Sequence, residues 1–134
     1  MKFKSTFFAL SIVVVSFGVY QGCRKPVDTY ADPTAITILK CSATTFTDPA
    51  SANVVYNGIA SVPYDGGNGG IDTVQTVIAS GGVTGLIATH IADTLAVGPG
   101  SLKYQISGKP ASTGTATFPI SVGGQSCSFA LVVN

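Results

Sequence analysis

Residues 115–133, TATFPISVGGQSCSFALVV, are the stretch whose pattern decides the fold. On one side of Gly123 and Gly124, Ala116, Phe118, Ile120 and Val122 alternate with Thr115, Thr117, Pro119 and Ser121. On the other, Cys127, Phe129, Leu131 and Val133 alternate with Ser126, Ser128 and Ala130. A period of two places each apolar set on one face of a strand. A Gly-Gly pair between two such runs supplies the positive φ that a two-residue hairpin turn demands. The stretch therefore reads as two antiparallel strands, each with one buried face. Pro119 lies on the polar face and has no N–H for a ladder, which points to an edge strand or a bulge. Cys127 shares its face with Phe129 and Leu131, so its sulfur is expected in the core.

The same alternation recurs upstream, with Leu102, Tyr104 and Ile106 set against Lys103, Gln105 and Ser107. Further strands are expected around Ile36 to Cys41, Ala52 to Tyr56, Thr73 to Ile78, Val83 to His90 and Thr94 to Val97, with Gly98 to Gly100 and Gly108 to Gly114 as punctuation. No window after residue 34 carries a helical stripe. Thr, Ser and Gly, at 15, 13 and 16 residues of 134, make up a third of the chain and favour strands and turns over helices. Seven or eight short strands at near-regular spacing indicate one all-β domain, an antiparallel immunoglobulin-like β-sandwich over residues 35–134.

With 7 basic and 6 acidic residues, all of the latter Asp, the chain has no basic footprint for nucleic acid. Its opening is different in kind. Two lysines in the first four residues precede an uncharged run from Phe7 to Tyr20, the layout of an export signal. The run falls short of the roughly 20 apolar residues a membrane span requires. At its end, Gly22 and Cys23 resemble the cleavage point of a bacterial lipoprotein signal, where the cysteine becomes lipidated and N-terminal; Tyr20 and Gln21 depart from the usual Leu and small residue. This implies a signal peptide over 1–22, an anchor tether over 23–34 and a membrane partner reached through lipid on Cys23. Ordinary cleavage after Gly18, giving a secreted protein, is the alternative. Cysteine parity bears on the choice, because an exported chain with 3 cysteines has one left over after pairing. If that one is Cys23, then Cys41 and Cys127 are free to form a disulfide worth about 4 to 5 kcal/mol in the chain-entropy model. The competing reading is two buried thiols.

The segment from Gly82 onward carries Gly85 and Leu86, a Gly98 to Gly100 turn, Ser107 to Pro110, and Gly114 with Thr115. It resembles the immunoglobulin-like domains of bacterial surface proteins. A repeat module of large secreted bacterial proteins is also similar: it begins with Cys-Ser, carries PYxGGNGG and ends GGQxC, as do Cys41 and Ser42, Pro63 to Gly70, and Gly123 to Cys127 here. The resemblance implies a non-catalytic module of the outer membrane or cell surface, adhesive or structural, with no cofactor and with a surface protein or glycan as partner. A secreted module binding carbohydrate, or binding through calcium, is the alternative.

Three constellations were weighed as sites. His90 is the single histidine, with Asp93 close by in sequence, but no Gly-x-Ser-x-Gly elbow accompanies it; Ser80 and Ser101 sit in plain glycine turns. An ordinary strand position is the expected role of His90, and no catalytic residue is assigned. Asp65, Asn68 and Asp72 crowd oxygen ligands into the run DGGNGGID and are the calcium candidates, although Gly-rich turns also use Asp and Asn to satisfy their own backbone. Tyr56 and Tyr64 flank that run and are candidates for stacking on a sugar, against the commoner role of packing at a sandwich end. One His and no CxxC spacing do not make a zinc site of Cys41 and Cys127.

Overall fold

A computed structural model describes residues 34–134; the signal segment 1–22, Cys23 and the tether up to residue 33 lie outside the described residues. The described chain is nearly all β, arranged as two antiparallel sheets around one core with a small ribbon at one end.

The decisive stretch forms the hairpin of β10 (Gly114–Val122) and β11 (Gln125–Val133), in register from Gly114 opposite Val133 to Val122 opposite Gln125. Gly123 and Gly124 have φ of 59° and 80°, as a two-residue turn requires. Ala116, Phe118, Ile120, Phe129, Leu131 and Val133 are buried, and the interleaved Thr and Ser are exposed. β10 has one further neighbour, β6 (Gly81–Gly82), which covers only Ala116 and Thr117. The edge of β10 beyond Thr117 has no ladder partner among the described residues. Val83 N–H donates to Thr115 O, so odd-numbered residues of β10 aim their backbone groups at this side. Pro119 is therefore on a free edge, where its missing N–H costs nothing and blocks pairing.

The larger sheet is built on β3 (Tyr56–Asn68) and β9 (Val97–Gly108), followed by β7 (Leu86–His90) and β5 (Val77–Ala79). On the far side of β3, β1 (Ile38–Leu39) and β2 (Thr45–Phe46) pair in succession, separated by a 3₁₀ turn over Cys41–Ala43. The ribbon joins β4 (Ile71–Asp72) to β8 (Asp93–Thr94). Leu102, Tyr104 and Ile106 are buried on the core side of β9, as their alternation predicts. The chain changes sheet between β5 and β6. Ser80 makes the step: its N–H donates to Leu86 O (2.9 Å), while its Oγ accepts from Leu86 N–H (3.3 Å).

Thr73 to Thr76 and Leu95 to Ala96, expected within strands, lie outside them. The glycine runs fail in the other direction: residues 63–68 and Gly98 to Gly100 read as loop and turn, yet they are strand, with Pro63 opposite Ser101, Tyr64 opposite Gly100 and Gly67 opposite Gly98 across a bulge. The cause is Tyr64. Its ring lies along the ladder, and a Cβ on Gly67 or Gly100 would run into it. These glycines clear space for an aromatic ring. Conversely, Ala52 to Tyr56 is not a strand before Tyr56, because Asn53 takes a left-handed φ of 61° and turns the chain.

Candidate functional site

Asp72 and His90 are the two buried charged or titratable polar residues in the core of the described chain, and they come together at the ribbon end. His90 is the last residue of β7, on the inward phase set by Leu86 and Ala88; its cross-strand partner on β9 is Tyr104, ring centroids 4.9 Å apart. The Nδ1–H of His90 donates to Val74 O (3.0 Å), since a carbonyl only accepts. Nε2 faces Asp72 Oδ2 at 3.6 Å and has no hydrogen-bond partner among the described residues. Asp72 Oδ1 accepts from Val74 N–H (3.2 Å), so the 72–74 turn is folded back on its own carboxylate. Both ring nitrogens of His90 thus face acceptors.

The Tyr104 phenol is held far above its ordinary pKa, first by burial and then by the negative charge of Asp72. Burial, then the charge of Asp48, raises Tyr56 in the same direction. From Tyr104 the aromatic contacts continue to Phe129 (5.5 Å) and on to Phe118 (5.1 Å), which ties the polar cluster to the centre of the core.

Two hollows meet at this cluster. One, of about 150 Å³, is lined by Thr34, Asp72, Val74, Thr76, His90 and Tyr104 among others. The other, a cleft of about 470 Å³, lies where β5 and the free edge of β10 diverge, with Ile78, Tyr104, Pro119 and Ile120 as apolar lining and hydroxyls from Thr76, Ser121, Ser126 and Ser128. Ser126 Oγ donates to Ser121 Oγ (3.0 Å) at its rim. Neither ring nitrogen of His90 bonds to a hydroxyl, so no nucleophile is presented to it among the described residues.

The residues singled out from sequence are dispersed. Asp65 forms an ion pair with Lys40. Asn68 Oδ1 accepts from Ala35 N–H (3.1 Å) and Gly70 N–H (3.0 Å). Asp72 belongs to the His90 cluster, so the three calcium candidates serve three local purposes, and no group of three or more acidic, His or Cys side chains converges among the described residues. Tyr56 and Tyr64 are both buried: the Tyr56 hydroxyl donates to Asp48 O (3.0 Å) and the Tyr64 hydroxyl accepts from Ala96 N–H (2.7 Å). Neither ring offers a face to a sugar. Asp93, close to His90 in sequence, is exposed and accepts from Thr94 N–H (2.8 Å). Ser80 and Ser101 are in backbone contacts of β5–β7 and β9.

Cys41 and Cys127 are joined in a disulfide, Cα atoms 6.1 Å apart across 86 residues of sequence. It links the 3₁₀ turn after β1 to β11, pinning the first edge of one sheet to the last strand of the other.

The architecture is thus that of a disulfide-bonded, all-β, antiparallel sandwich-like domain with a small buried polar cluster. Compared with protein-family models, with curated proteins and with solved structures, the chain matches none.

Proposed function

We propose that this chain is an exported, non-catalytic immunoglobulin-like module held at a bacterial cell surface by lipid on Cys23, with an adhesive or structural role. The observation that carries the proposal is the Cys41–Cys127 disulfide. It accounts for two of the 3 cysteines and leaves Cys23 as the unpaired one, at the position where a lipoprotein signal places its modified residue. A disulfide also fits an oxidising compartment outside the cytosol. The immunoglobulin-like reading is supported by the strand order, in which the first and last strands lie in different sheets and the chain passes from one sheet to the other between β5 and β6. From Cys23 onward the chain keeps 5 of the basic and all 6 of the acidic residues, so charge contributes nothing to membrane attachment. The test is metabolic labelling with a clickable fatty acid in a bacterium that processes lipoproteins. The expected outcome is a labelled wild-type band and an unlabelled Cys23→Ala band; no label on either would overturn the anchor.

The cleft beside Tyr104 favours one other reading, a secreted binding module for a small hydroxylated ligand such as a sugar, since an apolar floor under a few convergent hydroxyls is how such sites are made. Chemical-shift changes confined to Thr76, Tyr104 and Ser121 on titration with sugars would favour this reading. Shifts absent at those three residues would count against it.

A further inference from the structure

The two ends of the sandwich differ, and the chain enters at one of them. Thr34 lines the small hollow with Asp72, Val74 and His90, and Ala35 bonds to Asn68. The C-terminus lies at the other end, where Asn134 exchanges backbone hydrogen bonds with Ala50 and Ala52 just ahead of the start of β3. The entry end is built from the turns over 68–74 and 91–97. Leu95 N–H donates to Gly70 O, Ile71 is opposite Thr94, Val97 is opposite Asn68, and Val74 is tied to His90, the neighbour of Ile91.

The turns at this end expose three aliphatic side chains: Ile71 at 51%, Val74 at 66% and Val97 at 82%. Single exposed aliphatics are ordinary on any protein. Three on the turns of one end give it an apolar character, whereas Ile91 donates its N–H to Lys103 O and stands beside that exposed lysine. Between residues 68 and 97 there is no Lys or Arg, and of the two aspartates Asp72 is buried and only Asp93 is exposed. Such a surface suits the uncharged interface of a zwitterionic bilayer better than an anionic partner.

We infer that this tip, Ile71, Val74 and Val97, rests on the lipid surface when the chain is held there through Cys23. The inference rests on the anchored reading proposed above. The run from Arg24 to Thr34 spans at most about 36 Å when fully extended, so the entry end is the one an anchor keeps beside the membrane. Three exposed aliphatics are too few to hold the domain on lipid from free solution. Tethering makes the contact intramolecular and supplies the effective concentration it needs. The opposite end, with Val54 and Val55, then points outward and is left for a partner.

The chain contains no Trp, so one introduced Trp is a clean reporter. With Cys41 and Cys127 bonded to each other, Cys23 is the single thiol for coupling to a maleimide lipid. We would couple the chain from Cys23 onward, as Val74→Trp, Val97→Trp and Val55→Trp variants, to phosphatidylcholine vesicles with and without brominated acyl chains. The expected result is a blue-shifted emission quenched by the brominated lipid for Val74→Trp and Val97→Trp, and neither change for Val55→Trp. Absence of quenching at the tip on vesicles that carry the protein overturns the inference. So does equal quenching of all three, or a blue shift without quenching, which would place the tip against a second copy. Because the coupling is chemical, failure here condemns the tip and leaves the anchor untouched, whereas failure of fatty-acid labelling condemns the anchor alone.

Discussion

Asp72 and Tyr104 show what a buried carboxylate does to a neighbouring phenol. His90 is a buried ring packed on Tyr104 and bonded to Val74 O. His90→Ala should therefore destabilise the domain by about 3 kcal/mol through the cavity and the lost hydrogen bond, read from the urea midpoint. His90→Phe should recover part of that loss by refilling the volume; a Phe variant no better than Ala would show that packing is not what His90 contributes. The phenols give a pH test. Burial raises Tyr56 and Tyr104 in the folded state above the ordinary 10.0. The unfolded chain thus releases these protons first, so the stability they contribute is intact below pH 10 and is lost as pH climbs toward the folded values. Phenolate absorbance from these two residues should appear together with unfolding; full phenolate formation in a still-folded protein would contradict their burial. Gly100→Ala should cost about 1–3 kcal/mol by crowding the Tyr64 ring, and less than that when Tyr64 is already Ala; equal costs in both backgrounds would dismiss the ring as the reason for the glycine.

Among the elements, those with one buried and one solvated face were legible in sequence: β10, β11 and the core half of β9 each show apolar residues at every second place, and burial follows them. β3 was not legible. Its glycines and Pro63 carry the signals of a loop, and only the placed side chains show what they clear room for: Tyr56 at Gly58, Thr37 at Gly66 and Tyr64 at Gly67. The partner of His90 was hidden because it lies 18 residues away in sequence: Asp72 faces His90 while Asp93, its cross-strand partner on the ribbon, is exposed. Tyr104 had a readable signal, the cross-strand alternation of β7 against β9, had the register been known. The edge of β10 supplies a prediction of its own. Pro119→Thr restores an N–H on a strand flank that β6 leaves uncovered. The variant should associate at concentrations where the parent does not, as sedimentation velocity would detect; an unchanged distribution would mean that something other than Pro119 protects this edge.

At the scale of the whole molecule, the sandwich is closed by contacts between regions distant in sequence, and the disulfide is among the longest of them, across 86 residues. Its reduction, or replacement of both cysteines by Ala, should lower stability by about 4 to 5 kcal/mol in the chain-entropy model without abolishing the fold, because the aromatic core does not depend on it. The slope of the urea transition should rise, because the unfolded chain without its cross-link exposes more surface. The same bond bears on attachment, since it leaves one of the 3 cysteines for other chemistry. The most direct measurement is the intact mass of the protein purified from the membranes of a lipoprotein-processing bacterium. A chain that begins at Cys23, carries two or three acyl groups and takes up no alkylating reagent before reduction is the predicted result. An unmodified chain beginning near Val19, or one with freely alkylated Cys41 and Cys127, would contradict the account.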